Sequence, residues 1–284
     1  MRLYEIINYN LMLKKLKIGI VGCGAIGSSL AREIVTNLCN SASLVAIYDI
    51  RPEKADFLSR ELTKSSKLCV GNLDSLIKKS ELVIESSSAK AAWEIARKSL
   101  SSGRKVMIMS VGGLVDQAEE LFALATKNKT QVYFPSGAIA GIDALKAANT
   151  AGVKRVVLTT RKHPFAFNGV EYVAKNFKLS GIKKDKILFS GSAAQAVKYF
   201  PQNINVAAVL GLAAIGMHKT EVRIIASPHL KRNIHEVLVE SKAAKIFTRT
   251  ENILHPQNPK TSYLAVLSAI ATLRQILQPI KIGT

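Results

Sequence analysis

The stretch Lys17-Ile-Gly-Ile-Val-Gly22-Cys-Gly24-Ala-Ile-Gly27 constrains this chain more than any other. Ile18, Ile20 and Val21 make a short apolar run, as in a strand covered on both faces. The run ends in Gly22-x-Gly24-x-x-Gly27, and Ser28 to Leu38 reads as a helix. Gly22 permits a tight turn, Gly24 lets a pyrophosphate approach the backbone, and Gly27 lets the helix lie close on the strand. The helix N-terminus then offers free N–H groups and a positive dipole end to phosphate. Such a loop is a weak signal alone. Here a second apolar strand, Leu44 to Tyr48, ends in Asp49, 22 positions beyond Gly27, where a ribose-binding acid is expected at about 20. The pattern predicts a dinucleotide site with Gly22, Gly24, Ala25, Ile26 and Gly27 on the phosphates and Asp49 on the adenosine ribose. The bland alternative is a structural turn with Asp49 capping the next helix. Arg51 could pair with a 2′-phosphate, so NAD is favoured and NADP stays open.

A chain of 284 residues can hold one large or two medium domains. With 48% hydrophobic and 21% charged residues, it is ordinary for a globular protein. Forty Lys and Arg against 20 Asp and Glu give a net charge of +20, which can mean nucleic-acid contact, anionic ligands or a lysine-rich proteome. The basic residues are scattered, with no aromatic RNA-binding motif, zinc-ligand spacing or basic tail. The charge therefore reads as a solvated surface that helps attract anions; neither nucleic acid nor a metal is expected. Three cysteines without a CxxC fit a reducing compartment. No apolar run reaches the ~18 residues of a membrane span, and the N-terminus lacks a signal-peptide pattern. The expectation is a cytoplasmic protein without a membrane partner. Residues 1–11, ahead of Met12, read as an extension that adds little to the fold.

Further strands are expected at Leu82–Glu85, Lys105–Met109 and Gln131–Phe134, alternating with helices at Glu53–Leu62, Ala89–Leu100 and Asp116–Thr126. This alternation implies a doubly wound parallel sheet. Ser86-Ser-Ser88 lies at a strand's C-terminal end, facing the crevice where such sheets bind ligands, with Ser88 as a helix N-cap. The character changes at Pro135-Ser-Gly-Ala-Ile-Ala-Gly141, which leads into a helix ending near Asn149. Val153–Arg161 reads as a strand, Phe165–Gly191 as irregular, and Asn203–Met217 as an apolar helix. Strand-like runs at Glu221–Ala226, Asn233–Glu240 and Ala244–Thr250 suggest an antiparallel sheet in a second, α+β domain. Pro256-Gln-Asn-Pro259 then punctuates the chain before a last helix, Ser262–Leu277.

Five stretches together resemble the L-aspartate dehydrogenase family, above all its archaeal and thermophilic members. They are Gly22-Cys-Gly-Ala-Ile-Gly27, Ser136-Gly-Ala-Ile-Ala-Gly-Ile-Asp143, Phe200-Pro-Gln-Asn-Ile-Asn-Val-Ala207, Asn233-Ile-His-Glu236 and His255-Pro-Gln-Asn-Pro-Lys-Thr-Ser262. The first is common to many dehydrogenases; the other four are distinctive. The resemblance implies oxidation of L-aspartate by NAD or NADP to iminoaspartate, hydrolysed to oxaloacetate and ammonia, with a role in NAD biosynthesis. It implies an α/β fold: an N-terminal Rossmann domain (1–134), a second α+β domain for catalysis and homodimerisation (135–255), and a C-terminal segment (256–284) returning to the first. It places the active-site histidine on His235 and nicotinamide-side contacts on Asn205 and Ala138, although spacing does not separate Ala138 from Ile139 and Ala140. The loop after Glu85 is expected to be richer in alanine than Ser86-Ser-Ser88.

Hydride leaves an amino-acid Cα readily only from a free amine, so the substrate's ammonium must first lose a proton. One imidazole near neutral pKa could shuttle it and later activate water. Elimination favours His235: His163 and His255 precede prolines and so sit in turns, His218 ends a helix, and His229 follows Pro228 in a polar loop. Two substrate carboxylates also need cations or N–H donors. Ser136, Asn205, Lys260 and Thr261 are the candidates. Arg232 is a weaker one, since strict alternation sets it on the face opposite His235. Asp143 reads equally as a helix-face residue.

Overall fold

The computed structural model describes residues 14–200, 205–256 and 258–283. The extension assigned to residues 1–11 lies outside these, as do Pro201 to Ile204 of the Phe-Pro-Gln-Asn-Ile-Asn motif. Five short apolar runs form one parallel sheet: β1 (Leu16–Val21), β2 (Ala42–Tyr48), β3 (Leu82–Glu85), β4 (Lys105–Ile108) and β5 (Val132–Tyr133), in the order β2-β1-β3-β4-β5. The connections run through α1 (Ala25–Thr36), α2 (Pro52–Thr63), α3 (Leu73–Lys79), α4 (Ala89–Ser101) and α5 (Ala118–Lys127). Strand order reverses between β1 and β3, so the Gly22 and Ser86 loops flank the switch point where such sheets bind ligands. The helix expected from Asp116 begins instead as a 3₁₀ segment, Val111–Gln117. A side chain at Gly113 would sit 2.0 Å from the Ala89 carbonyl, so this segment follows the close approach of α4.

The second sheet corrects the antiparallel expectation. Its strands are β6 (Val153–Lys162), β7 (Lys186–Ser192), β8 (Glu221–Ala226), β9 (Asn233–Ser241) and β10 (Lys245–Asn252), in the order β10-β9-β6-β8-β7. The β6–β8 pair is parallel and the others antiparallel, so the sheet is mixed. Between β6 and β8 lie α7 (Glu171–Asn176), β7, α8 (Ala193–Tyr199) and α9 (Asn205–Ala213), a connection long enough for a parallel crossover. β7 lies inside the stretch read as irregular; it is an edge strand with a register shift between Ile187 and Phe189, which weakens its alternation. α9 stops short of Met217 because Gly216 takes a left-handed conformation at φ +87°. The proline-marked stretch before the last helix is itself a small hairpin, β11 (Leu254–His255) with β12 (Asn258–Ser262). His255 is thus a buried strand residue rather than a turn residue, and His218 lies beyond the end of α9.

Buried side chains form two clusters. One holds Ile18 and Ile20 of β1, Leu30 and Ile34 of α1, and Ala269 and Leu273 of α10 (Tyr263–Leu277), so the C-terminal helix packs on the first sheet's helix layer. Arg274 pairs with Glu33 across the same seam. The other runs from β3 and α4 through α9 into the second sheet, which joins the two layers through one apolar interior. Leu273 is fully buried. Leu273→Ala is expected to destabilise by about 2–5 kcal/mol, measured by thermal or urea unfolding with and without cofactor.

Candidate active site

The Gly-rich loop has the geometry its sequence predicts. Gly22 sits at φ +94°, and a side chain there would meet the Ser86 carbonyl at 2.6 Å. A side chain on Gly27 would lie 1.9 Å from the Gly22 carbonyl oxygen, while Gly24 has nothing within 4 Å of the added atom. The open side of Gly24 is the cradle a pyrophosphate needs, and Ala25 and Ile26 begin a helix that no side chain caps. Asp49, at the end of β2, accepts hydrogen bonds from the Cys23 N–H (2.8 Å) and the Arg51 N–H (2.9 Å). The carboxylate thus ties the loop to Arg51, the residue before α2, and no side chain caps that helix. Arg51 is exposed at that helix start. Burial, with Asp49 adding to it, pushes the Cys23 thiol up to about 12, which fits packing rather than chemistry.

Glu85 organises the opposite lip. Fully buried, it accepts hydrogen bonds from the Ser87 N–H (2.8 Å) and hydroxyl (2.9 Å), and from the Ser110 N–H (2.9 Å) and hydroxyl (3.0 Å). A further bond comes from the Met109 N–H at 3.2 Å. Ser86 donates to the carbonyls of Val21 (3.0 Å) and Gly22 (2.9 Å). Ser86, in the loop expected to be richer in alanine, therefore fastens the end of β1 to that of β3, while Glu85 fastens β3 to the end of β4. Ser88 occupies the N-cap of α4, though its side chain makes no capping bond. Ile26, Ser86, Ser87, Met109, Ser110 and Asn205 line a groove of about 430 Å³ along this lip.

The second sheet supplies the other wall. In the antiparallel β6–β9 pair, Thr160 stands opposite His235, so both side chains share a face, and Lys162 lies two residues further on the same face. Thr160 Oγ1 meets His235 Nδ1 at 3.0 Å and fixes the ring. A cavity of about 120 Å³ is lined by His235, Lys162, Ala138, Asn205, Thr261 and Ser262, among others, and shares Ile26, Met109 and Asn205 with the groove over the first sheet. Asn205 Oδ1 accepts from the Gly112 N–H at 3.1 Å, joining α9 to the first domain. Of Ala138, Ile139 and Ala140, Ala138 is the one among the cavity's lining residues. Its carbonyl accepts from the Thr250 hydroxyl (2.9 Å) and the Asn252 amide (3.1 Å).

The remaining sequence candidates divide. Thr261 lines the cavity, whereas Ser136 belongs to the same loop as Ala138 but its neighbours Pro135 and Gly137 form the wall. Lys260 lies in β12, and its side chain is outside the described part of the structure. Arg232 lines a separate hollow with His163 and Phe165. Asp143 is exposed in the first turn of α6 (Ile142–Thr150).

The electrostatics depart from the expected near-neutral imidazole. Burial, reinforced by nearby Lys162, pushes His235 down to about 3, and burial alone pushes Lys162 down to about 8. No carboxylate occurs among the described lining residues. An unliganded cavity of this kind keeps the imidazole neutral, and only an arriving anion would favour its protonated form. Sequence reading missed Lys162, Thr160 and Glu85. The one available signal was that Thr160 and Lys162 share a strand face, and a lysine at a strand end ordinarily reads as solvated.

Comparison with known proteins agrees with this geometry. A family model described as "Aspartate dehydrogenase, C-terminal" matches residues 143–276, and one described as "Homoserine dehydrogenase, NAD binding domain" matches residues 22–135. L-aspartate dehydrogenase of Methanosarcina barkeri is 47% identical over 272 residues, covering 95% of this chain and all of the relative. That of Methanocaldococcus jannaschii is 40% identical over 274 residues with the same coverage. The crystal structure of aspartate dehydrogenase from Thermotoga maritima superposes with a TM-score of 0.71 at 27% identity, over 95% of this chain and all of that one. A hyperthermophilic archaeal homoserine dehydrogenase in complex with NADPH reaches 0.56 at 13% identity, over 94% of this chain and all of that one, and shares the fold alone. With near-complete coverage at this identity, an NAD-binding parallel sheet and a second half matched by the aspartate dehydrogenase model, the chain belongs to the L-aspartate dehydrogenase family.

Proposed function

We propose that this protein oxidises L-aspartate with NAD or NADP to iminoaspartate, which water hydrolyses to oxaloacetate and ammonia. The observation that carries the reading is the junction of two features. A Gly-rich loop suited to a dinucleotide reaches, through Ile26, a cavity lined by His235, the one histidine among the described strands of the second sheet. The nicotinamide, when bound, accepts the hydride from Cα. The chain's own groups do the rest. His235 takes a proton from the substrate ammonium, because only the free amine has the lone pair that becomes the imine, and it later assists water attack. The dicarboxylate brings the negative charge that makes protonation of this buried ring favourable. Asn205 and Ala138 border the nicotinamide side, Thr261 and Ser136 the substrate side. Family membership also supports a homodimer, a cytoplasmic location, a product feeding NAD biosynthesis, and the assignment of residues 1–134, 135–255 and 256–284 to cofactor, catalytic and returning segments. No helix among the described residues is long and apolar enough to cross a membrane.

The test is NAD and NADP reduction with L-aspartate, D-aspartate, homoserine and malate. Turnover of L-aspartate alone is expected; its absence, or preference for homoserine, overturns the reading. For cofactor choice, Asp49→Ala is expected to raise the KM for NAD more than that for NADP, and Arg51→Ala to raise that for NADP. Kinetics with both cofactors in each variant check this.

A further inference from the structure

We propose that Lys162 is the substrate's carboxylate anchor: its ammonium pairs with one carboxylate of the bound dicarboxylate, and the charge so delivered brings the neighbouring His235 into its proton-accepting role. The inference rests on the aspartate dehydrogenase reading and adds to it a residue that no sequence motif singled out.

Geometry comes first. Lys162 and His235 are diagonal neighbours on one face of the β6–β9 pair, whose Cα atoms in such a register lie about 7–8 Å apart. Both line the same small cavity, and both are almost wholly buried, at 5% and 3% exposure. The rest of the described wall is apolar or neutral, including Met109, Val206, Val209, Asn205, Thr261 and Ser262. The first turn of α10 borders it as well, through Ser262 and Ala265, and adds the positive end of a helix 15 residues long. On β8, Lys162 pairs with Ala226, and the Ser227 N–H donates to the Lys162 carbonyl. His235 is the only other titratable group among the described lining residues.

Chemistry follows from that wall. Two nitrogen bases and a helix N-terminus, with no acid among the described residues around the cavity, form a site complementary to an anion. Burial pushes Lys162 down to about 8, so before a substrate binds it is partly deprotonated at mildly alkaline pH. A carboxylate beside the ammonium favours its charged form and raises its pKa on binding. The same negative charge offsets the effect of Lys162 on His235, one of the two causes that hold the imidazole unprotonated. Substrate arrival thus switches on the base it needs.

The test uses the wild-type protein and Lys162→Met, each saturated with NADH, titrated calorimetrically with succinate, a dicarboxylate lacking the reacting amine. Lys162→Gln is a second variant, and circular dichroism and NADH affinity report whether each is folded. In wild type at pH 9, succinate is expected to bind with uptake of about one proton, read from the dependence of the enthalpy on buffer ionisation. A ring titrating as low as His235 takes up none at that pH. In both variants succinate affinity is expected to fall about 30-fold or more, the proton uptake to vanish, and NADH affinity to stay unchanged. With L-aspartate, KM is expected to rise by a larger factor than kcat falls. Unchanged succinate affinity in the folded variants overturns the proposal, as does proton uptake that persists in them, and in either case L-aspartate turnover by wild type leaves the enzyme's function standing. Wild type that neither turns over L-aspartate nor binds succinate overturns both.

Discussion

Replacing His235 with alanine is expected to lower kcat for L-aspartate by about 10²-fold or more while leaving cofactor affinity nearly unchanged. The split follows from placement. The imidazole belongs to β9, its Nδ1 is held by Thr160 at 3.0 Å, and it lines the cavity beside Lys162 rather than the groove along the Ser86 lip. Loss of the ring therefore removes proton transfer without touching the phosphate cradle. Truncation of a buried side chain also leaves space, so some loss of thermal stability is expected from His235→Ala. Comparison with His235→Gln, which fills more of that space, separates the two effects. Steady-state kinetics and a fluorescence titration with NADH provide the readouts. Turnover at the wild-type rate in either variant would take His235 out of the chemistry.

The second large effect is expected at the loop, where two glycine variants should both lose cofactor affinity but only one should lose stability. Gly27→Ala places a methyl group 1.9 Å from the Gly22 carbonyl oxygen, a backbone atom that cannot rotate aside. Helix α1 must then lift off β1, and the fold should lose about 1–3 kcal/mol together with most of its NADH affinity. Gly24→Ala meets nothing within 4 Å. Its stability should match wild type, yet the added methyl occupies the approach of the pyrophosphate, so NADH affinity should fall sharply. Thermal unfolding without cofactor and NADH titration of both variants form the check. A Gly24→Ala protein that binds NADH normally would show that the phosphates do not cross that side of the loop.

These contrasts also explain what the sequence could and could not reveal. The Gly-rich loop is a local device: turn, close approach and helix start are all encoded within a few consecutive residues, so Gly22, Gly24 and Gly27 were legible. His235 was legible through its neighbours in Asn-Ile-His-Glu. Its pKa was not, because burial and Lys162 act on it only after β6 and β9 have paired. Lys162 is one of many lysines in a strongly basic chain, and nothing local marks it as buried. The same holds for Glu85, whose importance comes from Ser110 25 positions away. Strand order in the second sheet was equally hidden. Whether β6 pairs parallel or antiparallel with β8 depends on the path of the whole intervening connection, and β7 within it has too short and shifted a pattern to read.

The bond from the Cys23 N–H to Asp49 has a practical corollary for anyone wishing to retarget the coenzyme. Deleting the carboxylate would relax discrimination at the ribose and, at the same stroke, unmoor the loop from α2, so a poor outcome with Ala would confound two causes. Asparagine does not separate them either: the Cys23 N–H binds one carboxylate oxygen and the Arg51 N–H the other, and an amide keeps only one acceptor, so one backbone donor would face an NH2 group.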